Sequence, residues 1–155
     1  MKKISENLKF SVITPSFNQG EYIETTIKSV LEQNYSNFEH VVIDGGSKDD
    51  TLSILGKFSH ISFTSEKDTG QSEAVNKGLR QASGQIVAWI NSDDWYEPGI
   101  FQGVANFFSD NPEKMIVMGD CNLVNASGEI FNRIINNERA VSYTHLTLPR
   151  LRISV

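Results

Sequence analysis

The sequence predicts an α/β protein, with a mainly parallel sheet flanked by helices. Three observations predict it. Short apolar runs alternate with amphipathic stretches along the 155 residues, the pattern of repeated βαβ units. The run QIVAWI (Gln85 to Ile90) carries no polar alternation, as a strand buried on both faces requires. Each early run also ends in a polar or glycine-containing segment, where a turn must follow.

FSVITPS (Phe10 to Ser16) is the first strand, stopped by Pro15. EYIETTIKSVLEQ follows as a helix. Ile23, Ile27 and Leu31 recur every four residues with Val30 beside them, and Glu21 and Glu24 suit the positive end of the dipole. FEHVVIDGGS is the second strand, ending in Asp44, Gly45 and Gly46. Ser47 is expected to cap KDDTLSILGKF, with Asp50 three residues on in the manner of a capping box. HISFTSE is a short third strand. TGQSEAVNKGLRQA is a helix facing the core through Ala74, Val75, Gly78, Leu79 and Ala82, with Gly84 as its stop. QIVAWI is the fourth strand and NSDDWYEPG the loop after it. Pro98 is expected in the first turn of the next helix, which runs through IFQGVANFFSDN. KMIVMGD (Lys114 to Asp120) reads as a further strand, and LVNASGEIF as a hairpin turning near Asn125 to Gly128. There is no internal repeat and no low-complexity segment.

Composition narrows the function. The formal net charge of −5 argues against nucleic acid or an anionic membrane surface as partner. Cys121 is alone, so neither an intrachain disulfide nor a cysteine metal cluster is available. The amino-terminal MKKISENLKF lacks the apolar region of a signal peptide, and no apolar run reaches the length of a transmembrane segment. The dinucleotide fingerprint, the P-loop and the nucleophile elbow are all missing.

The chain changes character after Ala140. VSYTHLTLP back-translates as GTC TCT TAT ACA CAT CTG ACG CTG CCG, which resembles a transposon-end adapter of sequencing libraries. Residues 1–140 are therefore expected to be the natural part and residues 141–155 a non-native tail, the alternative being a genuine basic tail.

In an open parallel sheet, ligands bind outside the carboxyl ends of the strands. Those ends carry Pro15, Ser16, Phe17 and Asn18, then Asp44 with two glycines, then Glu66 and Asp68, then Asn91, Asp93 and Asp94. Asp44 suits hydrogen bonds from a base imide or ribose hydroxyls, or is a turn residue. Asp68 is either a helix N-cap or part of the site. Phe17 suits stacking on a base, and Trp95 and Tyr96 a sugar face. Adjacent carboxylates repel unless a cation sits beside them. Oxygen ligands favour Mg²⁺ or Mn²⁺, which complete their shell with substrate phosphate. The alternative for Asp93 and Asp94 is a solvated helix cap. His40, His60 and His145 show no metal-ligand spacing.

Three segments then stand together: VITPSFNQGEYIETTIKSVLEQNYSNFEHVVIDGGSKDDT, SEKDTGQSEAVNKGLRQASGQIVAWINSDDWYEPG and MGDCNLVNASGEI. In order and spacing they resemble the family 2 glycosyltransferases of the GT-A (Rossmann-like) fold, over roughly Phe10 to Ile130. The resemblance implies transfer of a sugar from a nucleotide-sugar donor, foremost a UDP-sugar, to a hydroxyl of a sugar or lipid-linked acceptor, with inversion and with Mg²⁺ or Mn²⁺. By position it implies donor binding by Pro15, Phe17, Asp44, Asp68, Asn91 and Asp94, and metal binding by Asp93. It also implies polysaccharide assembly in the cytoplasm, including the inner face of the membrane.

Two departures stand out. Asn91 occupies the first acidic position of the family's D-x-D motif, so it brings no charge there. The family's general base comes from a later segment, and Asp120, the last well-placed acid, does not match it. The fold is therefore expected to be incomplete at the C-terminus, and the chain a donor-binding part with little or no transfer of its own. Its rivals are a non-catalytic nucleotide or sugar binder and a nucleotidyltransferase. The second needs basic residues in its first loop to hold a triphosphate, and PSFNQGEY has none.

Overall fold

The computed structural model describes residues 8–125 and 129–135. The tail from Val141, the first residues of the chain and most of the expected hairpin turn lie outside the described residues.

Strands β1 (Phe10–Ser16), β2 (Phe38–Asp44), β3 (Ile61–Ser65) and β4 (Ile86–Trp89) form one parallel sheet in the order β3-β2-β1-β4. Helices α1 (Ile23–Leu31), α2 (Thr51–Leu55) and α3 (Gln71–Gln81) connect them, and α4 (Ile100–Asp110) follows β4. The register sets Ser16 beside Asp44 and Ile13 beside Trp89, so the carboxyl ends of the strands share one edge.

Side chains alternate across a strand, and the two faces serve different helices. Phe10, Val12, Ile86 and Ala88 share one cluster with Val30 and the α4 residues Phe101, Ala105 and Phe108. Ile23, Ile27, Val42, Ile54 and Leu55 join α1 and α2 to β2. Ile13, Val41, Ile43 and Val87 face Ala74 of α3. Phe10 is the hub of the first cluster. It stacks on Phe101 at 4.5 Å between centroids and meets Tyr35 edge-on at 5.1 Å. Helix α3 lies close because Gly78 faces β1: a Cβ there would come within 2.3 Å of Ile13 Cγ2.

Several expectations are corrected. Leu31 is 47% exposed, whereas Val30 is fully buried. At about 100° per residue, position 31 has rotated roughly 80° from Ile23, while position 30 returns to within roughly 20° of it. Ser47 does not cap α2, which starts at Thr51 after Asp50; its hydroxyl is spent on Asp44. Gly84 is not a left-handed helix stop. It is small because a Cβ would sit 2.6 Å from the Lys9 carbonyl. Pro98 precedes α4, whose N-cap is Gly99 at φ +83°. Lys114 to Asp120 forms no strand. Val117 packs on the core, but Met115 and Met118 stay exposed. The hairpin does form, from β5 (Cys121–Val124) and β6 (Ile130–Ile134), antiparallel and outside the main sheet. Among the described residues no helix is long and apolar enough to cross a membrane.

Candidate functional site

Strand order reverses at β1: its first connection leads to β2 on one side, and β4 lies on the other. The loops after β1 and β4 therefore diverge and leave a crevice at their carboxyl ends. A cavity of about 360 Å³ occupies it. Pro15 and Phe17 enter from β1, Asp68 and Gln71 from the start of α3, and Asn91 and Asp93 from the loop after β4. A second cavity of about 260 Å³ lies toward the hairpin, lined in part by Asp93, Asp94, Trp95, Asp120 and Phe131. Asp93 lines both, so the two cavities adjoin at this residue. A third space, about 10 Å³ between β4 and α4, is apolar and has room for no ligand.

The acidic loop is held by a polar stripe on α1 and just beyond it. The buried Thr26 hydroxyl lies 2.9 Å from the Ser92 carbonyl and 2.7 Å from that of Asp94. Ser29 Oγ accepts the Tyr96 N–H at 3.1 Å. Buried Gln33 donates to the Glu97 carbonyl at 2.9 Å and accepts the Phe101 N–H at 3.3 Å. These contacts satisfy backbone groups that neither strand nor helix pairs. Gln71 Nε2, from the cavity lining, donates to Asn91 Oδ1 at 2.8 Å, and Asn91 Nδ2 donates on to Asp94 Oδ2 at 3.0 Å.

Behind the lining residues Phe17 and Gln19, the loops after β1 and β2 interlock. Asn18 N–H donates to Ser47 Oγ at 2.7 Å, and Lys48 N–H donates back to Asn18 Oδ1 at 2.8 Å. Gln19 and Gly20 N–H groups bind Thr51 and Asp49 side chains. Asp44 lies at the base of these loops, fully buried. Its carboxylate accepts the Gly46 N–H at 3.0 Å, the Ser47 N–H at 2.9 Å, the Ser47 hydroxyl and the Ser65 hydroxyl at 2.6 Å. Asp68 packs on Gly45, where a Cβ would meet its carboxylate at 3.1 Å. It also accepts the Gly70 N–H at 3.0 Å, in a turn two residues long that leads into α3.

The structure thus gathers Pro15, Phe17, Asp68, Asn91 and Asp93 around one cavity. It does not bring Asp44 or Asp94 to that lining. Asp44 sits beneath it as the organiser of the turn after β2, and Asp94 faces the second cavity. Asn76 is exposed and lines neither cavity. Lys77 is half-buried and pairs with Glu66 at 2.8 Å and Glu73 at 3.0 Å. Sequence reasoning passed over Gln71, Thr26, Ser29 and Gln33. Their partners are set by chain crossings that no local pattern announces.

Among the described residues no group of three or more His, Cys, Asp and Glu converges on a metal position. A Mg²⁺ or Mn²⁺ ion held through substrate phosphates requires less, one or two carboxylates with water completing the shell. Asp93 fits that donor set: it is exposed, borders both cavities and accepts no hydrogen bond from a described residue. Tyr22 stands near it. The Glu21 carboxylate foremost, and the Asp93 charge to a lesser degree, raise the Tyr22 phenol above its ordinary pKa.

Comparison with known proteins agrees with this architecture. The family described as Glycosyl transferase family 2 matches residues 11–147. A putative teichuronic acid biosynthesis glycosyltransferase, TuaG of Bacillus subtilis, is 40% identical over 90 residues, 54% of this chain and 35% of that protein. The crystal structure of S. aureus TarS in complex with UDP-GlcNAc superposes with a TM-score of 0.68 at 29% identity, covering 72% of this chain and 34% of that one. The mannosyltransferase PcManGT from Pyrobaculum calidifontis, in complex with GDP-Man and Mn²⁺, gives a TM-score of 0.62 at 25% identity over 76% of this chain and 36% of that one. The chain spans about a third of the length of these relatives.

Proposed function

The chain belongs to glycosyl transferase family 2, and on that premise we propose that it is the donor-binding part of an inverting, metal-dependent glycosyltransferase that uses a UDP-sugar. The observation that carries the reading is the meeting of two cavities at Asp93, at the point where strand order reverses. A nucleotide diphosphate sugar has that shape: a flat base, a charged diphosphate and a polyol. The first cavity offers Phe17 for stacking and polar groups at Asp68 and Gln71. The second offers Trp95 and Phe131 for a sugar face and Asp120 for its hydroxyls. The solved relatives carrying UDP-GlcNAc, or GDP-Man with Mn²⁺, support a nucleotide-sugar donor.

Asp93 would hold the divalent ion, and the ion when bound neutralises the departing diphosphate. The protein's own residues do the rest. The interlocked loops around Asp44 fix the base wall, and Thr26, Ser29 and Gln33 hold the acidic loop still. A carboxylate that deprotonates the acceptor hydroxyl is assigned to none of the described residues. Asp44 acts on the base only through the turn it organises, and Asp94 serves the sugar side.

The name of TuaG supports assembly of a cell-surface polysaccharide, with a sugar or lipid-linked acceptor. The test is release of UDP from a panel of UDP-sugars, with binding followed in parallel. Binding without sustained release is the expected result. Release that scales with an added acceptor would contradict the assignment of a donor-binding part alone. No binding of any nucleotide sugar would remove the reading altogether.

A further inference from the structure

We infer that Asn91 is a positioning residue that holds the acidic loop in its binding form without a metal ion. The inference rests on the reading of Asp93 as the metal-holding carboxylate.

The direction of the hydrogen-bond relay is fixed by its end. The Asp94 carboxylate can only accept, so the Asn91 group facing it at 3.0 Å must be the amide N–H₂. The Asn91 carbonyl oxygen then faces Gln71, whose group at 2.8 Å must be its own N–H₂. Both bonds of the relay thus pair a donor with an acceptor. The relay joins the first residue of α3 to the loop after β4, through Gln71 and Asn91 of the first cavity's lining. Asp94 is also anchored through its backbone, its N–H on the Asn91 carbonyl at 3.2 Å and its carbonyl on Thr26.

An aspartate at position 91 would have nearly the same shape and the opposite consequence. It would set two carboxylates at hydrogen-bond distance with no donor between them, and such a pair needs a cation or a proton. Asparagine removes that need. The charge left open at the junction is the neighbouring Asp93, so metal binding and loop ordering become separate events. In an Asn91→Asp chain they become one event.

Amide hydrogen exchange of residues 91–97 in the full chain tests this, in chelator and with Mn²⁺ alone. The wild-type segment should already exchange slowly in chelator, with Mn²⁺ adding only the modest slowing that an ion on the ordered loop brings. Asn91→Asp should exchange about tenfold faster in chelator, the scale of one lost hydrogen bond, and return toward wild type with Mn²⁺. Asn91→Ala should exchange faster in both, because no charge is there for the ion to neutralise. Unchanged exchange in metal-free Asn91→Asp would overturn the inference, as would Asn91→Ala and Asn91→Asp behaving alike in both conditions. Exchange in β1 and β4 reports whether each variant is folded. If Asn91→Asp does not fold, Gln71→Ala removes the far donor instead. A faster loop in chelator then supports the relay, and an unchanged one overturns it. No nucleotide enters the measurement, so failure of UDP to bind would sink the donor-site reading and leave this result standing.

Discussion

Thr26 shows how much one hydroxyl can hold. It is fully buried, and the two carbonyls it serves lie 66 and 68 residues further along the chain. Thr26→Val keeps the shape and removes the one proton shared between the Ser92 and Asp94 carbonyls. It should cost about 1–3 kcal/mol in urea denaturation and weaken nucleotide binding as the loop loosens. His40 offers a pH test. Burial foremost, and the nearby His60, lower its pKa to about 3, and its ring Nε2 lies 2.9 Å from the Thr14 hydroxyl. A folded pKa below the unfolded value near 6.5 means that the unfolded chain takes up the proton first. The stabilisation is complete above about pH 6.5 and is lost as pH falls toward 3, on the order of 2 kcal/mol by pH 5. His40→Gln should flatten denaturation midpoints between pH 7 and 5; an unchanged slope would assign the acid sensitivity elsewhere. The carboxylates at the strand ends were legible in the sequence because they end apolar runs. The division of labour among them was not. Nothing local distinguishes Asp44, saturated by four internal donors, from Asp93, which borders two cavities.

β1, β2 and β4 were readable from their apolar runs, and α1 and α3 from their periodicity, although α1 turned Val30 rather than Leu31 inward. The helix–sheet distance was less readable, because it depends on what faces a glycine. Gly78→Ala would drive a methyl into Ile13, so α3 must shift. A loss of about 1–3 kcal/mol is expected, with the start of α3 and Gln71 displaced from the cavity. Thermal unfolding and nucleotide affinity should therefore fall together; a stable variant with intact binding would show that α3 has slack. The stretch from Lys114 to Asp120 failed as a strand for a related reason. Apolar composition states a wish for burial, but a strand also needs an edge to pair with, and this segment pairs with none of the described strands. Edge position is a property of the assembled sheet, outside the reach of a local pattern.

At the scale of the molecule, strand order decides where the site lies. The reversal at β1 opens the crevice, the loops after β1 and β4 supply its walls, and α3 closes one side. Alternation of strand and helix made this place predictable before any side chain was seen. The hairpin carries a different signal: Met118, Ile130, Phe131 and Ile135 are each at least 60% exposed. Sedimentation at rising concentration should show self-association that Phe131→Ser reduces, since large apolar side chains left in water favour association. The central claim, that a donor diphosphate and its metal meet at Asp93, is tested most directly by calorimetric titration of UDP with and without Mn²⁺ into the wild-type chain and Asp93→Ala, once circular dichroism shows both folded. The account predicts that Mn²⁺ tightens UDP binding to the wild type and that Asp93→Ala loses this gain while keeping metal-free binding. An equal Mn²⁺ gain in both chains, or no UDP binding by a folded wild type, would contradict it.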